Sequence, residues 1–228
     1  MDPVNLKKLN AARRGRVAAV LVTDLEDGRD RVVVHGDEVT GDLGHAIDEA
    51  FRSGNSKAVE IDGRPFFLNV HMPPIRLVAI GAVHISQRLA PIAAAAGFPL
   101  TVIDPRTAFA TPERFSGVEL LAEWPEEALS RHPLDRYTAL VALSHDPRID
   151  DEPIRQALDV GCFYVGALGS RKTHAKRLER FAAEGLSTDQ TARIHAPIGL
   201  DIGAANPGEI AVSIMAEIIA RLRQRRGR

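Results

Sequence analysis

Cysteine is almost missing from this chain of 228 residues, where Cys162 is the single copy. That excludes an intrachain disulfide and a zinc site built on cysteines. An excess of charge of either sign is also lacking. Lys and Arg number 29 against 30 Asp and Glu, a formal net charge of −1. No basic surplus exists to neutralise phosphates, so a nucleic-acid partner is not expected. No apolar run approaches the roughly 18 to 20 residues that span a bilayer. The amino-terminal stretch MDPVNLKKLNAARRGR has no apolar core of the kind a signal peptide carries. The expectation is a cytoplasmic protein with no membrane span. Internal repeats are absent, and the arginine-rich end RLRQRRGR is the one biased segment.

What is present is an ordinary globular composition, 45% hydrophobic and 26% charged, in a chain long enough for one large core or for a medium and a small one. The stretch from Arg76 to Arg106 reads as strand, helix, strand. Leu77 to Ile80 is a short apolar run of the type that a parallel strand buries on both faces. Ile85, Leu89, Ile92 and Ala96 recur at helical spacing, Gly97 stops the helix, and Leu100 to Ile103 starts a second run. Alternation continues through strands at Val118 to Ala122, Thr138 to Leu143 and Phe163 to Val165. The helices between and after them begin at Pro125, at Asp150 and Asp151, after Ser170 and after the cap Asn206. Before Arg76 the pattern differs. Strand-like runs at 17–25 and 31–35, a helix from Gly41 to Ser53 and a hairpin around Asp62-Gly63 make a small α+β unit that ends at Met72-Pro73-Pro74. The predicted fold class is therefore α/β: a Rossmann-like, mostly parallel sheet with helices on both faces over residues 75–228, preceded by a small α+β domain over 1–74.

Ligands of such sheets sit beyond the carboxyl ends of the strands, so the polar residues there are the candidates. Asp104 follows Gly81 at the spacing of an acid that receives a ribose hydroxyl. The glycine fingerprint keeps only Gly81, however, and Val83 at the second position obstructs a dinucleotide. His84 lies in the same turn. Ser144-His145-Asp146 follows a later strand and offers a hydroxyl, an imidazole and a carboxylate, although three consecutive residues point in different directions and form no catalytic triad. Gly169-Ser170-Arg171 opens a helix with free N–H groups and a guanidinium, a start suited to a phosphate. Lys172, Lys176, Arg177 and Arg180 on that helix read as a solvated face. Asp201 and Gly203 lie in an aperiodic loop, and Cys162 reads as a small buried apolar residue.

The segments IGAVHISQRLAPIAAAAGFPLTVIDPR, LVALSHDPRIDDEPIRQAL, FYVGALGSRKTHAKRLERF and ARIHAPIGLDIGAANPGEIAVSIMAEII resemble the XdhC/CoxF family of xanthine dehydrogenase accessory proteins, over Arg76 to Arg221. The resemblance implies a maturation factor rather than an enzyme with turnover of its own. Proteins of that kind bind the molybdenum cofactor, support its sulfuration and help deliver it to a molybdenum hydroxylase of the xanthine dehydrogenase or CO dehydrogenase type. It also implies an apo molybdenum hydroxylase and a cysteine desulfurase as partners, and a homodimer. Carried over, it designates Gly81, His84, Asp104, Arg106, Ser144, His145, Asp146, Gly169, Ser170, Arg171, Asp201 and Gly203 as cofactor-binding residues. Two departures stand out. The family turn Gly-Ala-Gly-His has Val83 in place of its second glycine, and residues 1 to 74 hold no counterpart of a Gly-Gly-Cys segment. The alternatives are an NAD(P)-dependent oxidoreductase using the Asp104 edge and a ligand-free scaffold.

Overall fold

Asp2 and Pro3 start a helix that the hydrophobic pattern does not reveal, Pro3–Arg14 (α1), in the computed structural model, which describes residues 1–225. The Asp2 carboxylate accepts the Val4 N–H at 2.7 Å and Pro3 supplies the first helical φ, but only Leu9 and Ala12 are buried, too few to show a period. Strands Ala19–Asp24 (β1) and Asp30–Val34 (β2), helix Gly41–Ser53 (α2), and strands Lys57–Ile61 (β3) and Arg64–His71 (β4) complete a compact unit over Met1–Pro74. Its antiparallel sheet runs β2-β1-β4-β3. Alternate residues of β1 face opposite helices: Ala19 and Leu21 pack with Leu9 and Ala12 of α1, Val20 and Val22 with Ile47 and Ala50 of α2. Asp62 and Gly63, both at positive φ, form the tight turn between β3 and β4.

The second unit, Ile75–Leu222, holds six parallel strands. These are Arg76–Ile80 (β5), Leu100–Ile103 (β6), Glu119–Leu121 (β7), Thr138–Ala142 (β8), Tyr164–Ala167 (β9) and Ile194–His195 (β10). The helices are His84–Ala95 (α3), Pro125–Arg131 (α4), Pro147–Asp159 (α5), Arg171–Ala183 (α6), the short Thr188–Thr191 (α7) and Pro207–Arg225 (α8). Helix α5 begins a turn before the expected Asp150, because Asp146 caps it through the Arg148 N–H and Pro147 takes the first position. The last residues of the arginine-rich end, 226–228, lie outside the described residues.

Strand order is β10-β9-β8-β5-β6-β7. The chain leaves β5 for β6 and β7 on one side, then returns through α4 to place β8 on the other. Leu77 and Ala79 of β5, with Ala139 and Val141 of β8, bury against α3 and α8; Val78, Ile80, Leu140 and Ala142 bury against α4, α5 and α6. Helices thus cover both faces, and the strand order reverses between β5 and β8. A parallel sheet puts all its carboxyl ends on one edge, so Gly81, Asp104, Ser144, Leu168 and Ala196 follow their strands on the same side.

Candidate functional site

Gly81 closes β5 at φ +112°, where a Cβ would stand 2.8 Å from the backbone nitrogen of Ser144 and 3.0 Å from its Cα. The two strand ends flanking the crossover are therefore in backbone contact, an approach only glycine permits. The donors that cradle a pyrophosphate in a dinucleotide fold are used internally. Ala82 N–H donates to Asp104 Oδ2 at 2.7 Å, and Val83 N–H donates to Ser86 Oγ at 2.8 Å. The fully buried Ser86 occupies the third glycine position and donates back to the carbonyls of Gly81 and Val83.

Asp104 is also fully buried, and it accepts Arg106 N–H, Nε–H and Nη2–H at 2.8–2.9 Å as well. Burial opposes its ionisation, but the bonds from Arg106 and Ala82 outweigh this and hold the carboxyl below the ordinary value. Its oxygens are committed to the turn and to Arg106, which leaves no free ribose acceptor of the kind its spacing suggests.

At the end of β8, Ser144 donates its hydroxyl to Asp150 Oδ1 at 2.7 Å. His145 is exposed, at φ +63°, and Asp146 pairs with Arg148 at 2.7 Å. Burial by the surrounding protein and then the Arg177 charge depress the pKa of His145. Beneath this turn lies a polar cluster that sequence patterning misses. Arg177 is 2% exposed rather than on a solvated face; its Nε–H donates to Asp151 Oδ1 at 3.2 Å, and its Nη2 lies 3.9 Å from Asp150 Oδ2. Arg180 also turns inward, donating to Asp151 Oδ2 at 2.7 Å, whereas Lys172 and Lys176 are exposed. Asp150 Oδ2, Arg177 Nη1 and His174 Nδ1 are buried without a hydrogen-bond partner.

Burial pushes the Asp150 carboxyl up to about 6, against the pull of Ser144 and Arg177. Because the native state binds this proton more tightly than the unfolded chain, the associated stability is present below about pH 4 and is lost as pH rises through about 6. The Asp150→Asn variant is expected to lack this loss, which is at most about 3 kcal/mol. Urea unfolding of both proteins from pH 4 to 7 checks it; parallel stability curves would refute the assignment.

Gly169, at φ +138°, leads into Ser170, whose hydroxyl oxygen caps α6 by accepting the Thr173 N–H at 3.2 Å. Arg171 is exposed and has no partner among the described residues. Asp201 and Gly203 lie exposed in the loop before α8. That loop is pinned from below by Glu217. The Glu217 carboxylate accepts the Tyr164 hydroxyl at 2.6 Å and the Gly199 N–H at 2.9 Å, and its other oxygen lies 2.9 Å from His195 Nδ1. The ring of His195 stacks on Tyr164 at 4.7 Å between centroids.

His84, one of the expected residues, lines a large cleft. It stands at the start of α3 beside Gln87 and Arg88, opposite Arg114 and the α8 entry Asn206-Pro207-Gly208, around a space of about 850 Å³. That volume suits a drug-sized or cofactor-sized ligand. Three of the lining residues are basic or imidazole side chains and none is acidic. Among the described residues no group of three His, Cys, Asp or Glu could hold a metal ion. Nor is any helix among them long and apolar enough to cross a membrane.

The family model of the XdhC Rossmann domain matches residues 77–218. The chain belongs to that family. It is 34% identical over 148 residues to a Bacillus subtilis (strain 168) protein named as a probable xanthine dehydrogenase subunit, covering 64% of this chain and 43% of that protein. It is 30% identical over 153 residues to the molybdenum cofactor insertion chaperone PaoD of Escherichia coli (strain K12), covering 67% and 42%. The chain spans less than half the length of these relatives. A crystal structure described as a xanthine dehydrogenase from Bacillus halodurans superposes with a TM-score of 0.67 at 23% identity, over 96% of this chain and 67% of that one. At that identity the likeness concerns the fold.

In this XdhC Rossmann domain some of the expected residues come together and others lie apart, and the backbone of Ser144 abuts Gly81. Gly81, Asp104 and Arg106 meet at the crossover, and Arg106 also feels the Asp146 and Asp150 charges from β8 and α5. Ser144 bonds to Asp150 and the Arg177 charge reaches His145, so these two residues sit at the Asp150–Arg177 cluster. Gly169, Ser170 and Arg171 start α6, Asp201 and Gly203 occupy the α8 entry loop, and His84 faces the cleft. Sequence patterning missed Arg88, Arg114, Asp150, Arg177 and Glu217. For Arg88 a signal existed: Gln87 and Arg88 follow His84 at the three- and four-residue offsets that share one side of a helix.

Proposed function

We propose that this chain is a maturation factor that binds the molybdenum cofactor, assists its sulfuration and delivers it to a molybdenum hydroxylase of the xanthine dehydrogenase or CO dehydrogenase type. The observation that carries the reading is the acid-free, basic cleft of about 850 Å³ at the ligand edge of an XdhC Rossmann domain. An anionic, phosphate-bearing pterin suits such a lining. The names of the two relatives, one a molybdenum cofactor insertion chaperone and the other a xanthine dehydrogenase subunit, point the same way.

The sulfur would come from a partner such as a cysteine desulfurase. Cys162 is buried and burial pushes its thiol up to about 12, so it is not a thiolate at neutral pH and is a poor sulfur carrier. Use as an NAD(P) oxidoreductase is disfavoured, since the Ala82 and Val83 N–H groups and the Asp104 carboxylate are already satisfied within the turn.

The test is a titration of the purified protein with molybdenum cofactor, NAD and NADP in parallel, followed by addition of loaded protein to an apo molybdenum hydroxylase with a sulfur donor. Preferential cofactor binding, at a moderate affinity that permits release, and faster gain of hydroxylase activity than with free cofactor are expected. Binding of nicotinamide nucleotides alone would overturn the reading.

A further inference from the structure

We infer that the cleft between the starts of α3 and α8 is a phosphate-monoester subsite, with Arg88 and Arg114 as its two anion-binding residues. This rests on the maturation reading and locates within it the anionic end of the cargo. Arg114 is held in place before any ligand arrives. Its Nη1–H donates to the Phe109 carbonyl at 2.7 Å and its Nη2–H to Gln87 Oε1 at 2.9 Å. Its guanidinium lies 5.6 Å from the Phe115 ring centroid and 6.0 Å from that of Phe109. Of the five N–H groups of an arginine, three remain without a partner among the described residues. A guanidinium braced on carbonyl, amide and rings loses little freedom on binding an anion.

Arg88 is the opposite case. It is exposed and has no hydrogen bond or ion pair among the described residues, and no acid lines the cleft to neutralise it. His84 and Gln87 line the same cleft from α3. By contrast, the amino end of α8 is capped from within, since Asn206 Oδ1 accepts the Gly208 and Glu209 N–H groups and Glu209 accepts that of Ala205. The anion selectivity of the cleft therefore resides in the arginines. At the other candidate for a phosphate, Ser170-Arg171, the Ser170 oxygen already accepts the Thr173 N–H, and Arg171 is exposed.

The test compares the fluorescent oxidised pterin derived from the molybdenum cofactor, with and without its phosphate, and adenosine monophosphate as an unrelated phosphate monoester. Wild type, Arg88→Glu, Arg114→Lys and Arg171→Ala are titrated with each probe. Arg88 is exposed and makes no hydrogen bond or ion pair among the described residues, so Arg88→Glu is expected to fold; Arg114→Lys keeps the charge and removes the planar fork. The expected result is that wild type binds the phosphorylated pterin at least about tenfold tighter than the dephosphorylated one, the size of one charge-assisted hydrogen bond. That preference disappears in Arg88→Glu, falls in Arg114→Lys and survives in Arg171→Ala. Equal binding of both pterins by wild type, or loss of the preference in Arg171→Ala but not in Arg88→Glu, overturns the subsite and leaves the maturation reading standing. Binding of adenosine monophosphate alone, abolished by Arg88→Glu, retains the subsite and sinks the cofactor reading. Binding of none of the probes removes both.

Discussion

The Gly81→Ala variant is expected to lose about 2–6 kcal/mol of stability, a large share of the roughly 5–15 kcal/mol that holds a typical domain together. Two effects add. A non-glycine residue at φ +112° is strained by about 1–3 kcal/mol. The new Cβ also meets backbone atoms of Ser144 at 2.8 and 3.0 Å, so relief requires moving the end of β8, an overpacking cost of about 1–3 kcal/mol more. Gly97→Ala is the control. Gly97 is also at positive φ, +76°, but nothing lies within 4 Å of its Cβ position, so only the backbone strain of about 1 kcal/mol applies. Urea midpoints of the two variants separate the terms. If Gly81→Ala is no worse than Gly97→Ala, the close approach of β5 and β8 is wrong. Because this contact fixes the spacing of the crossover, the same substitution should also weaken ligand binding at the sheet edge.

Arg177→Met is expected to cost a similar amount, about 3–5 kcal/mol, for an electrostatic reason. The buried side chain lies between two carboxylates, the fully buried Asp150 and the partly buried Asp151. Removing the guanidinium leaves Asp150 buried with no cation, the situation in which breaking a buried pair is most damaging. Asp151 keeps Arg180 and suffers less. Protonation offers a partial escape, since the Asp150 carboxyl already titrates at about 6, so the deficit of Arg177→Met should shrink at about pH 5. The double variant Arg177→Met with Asp150→Asn should recover part of the loss at pH 7. A double-mutant cycle by denaturant unfolding measures that coupling; an Arg177→Met protein within about 1 kcal/mol of wild type would show that the cluster does not hold α5 and α6 together.

Legibility in the sequence followed the range of the interaction that decided each feature. The βαβ unit from Arg76 was readable because strand and helix periods, capping residues and stop glycines are local. Helix α1 was not, since its two buried contacts, Leu9 and Ala12, leave no period to detect. Asp104 shows how spacing can locate a residue without describing its state. It ends β6 at the edge where ligands gather, yet its oxygens are spent on Ala82 and Arg106, which no spacing rule records.

Family membership, the strand–helix alternation and the positions of the polar turns were determined by the sequence alone, because they depend on residue type and short-range order. The tertiary structure alone decided which basic residues face solvent and which are buried, and which turns share a space. Arg177 and Lys176 are neighbours on one basic helix, but a helix turns about 100° per residue, which carries Arg177 inward to Asp150 and Asp151 while Lys176 stays in water. Arg88 and Arg114 come from different segments and line one cleft only because β6 and β7 fold to one side of β5 and α8 returns against α3. Such long-range pairing depends on packing between distant segments, and no local pattern encodes it.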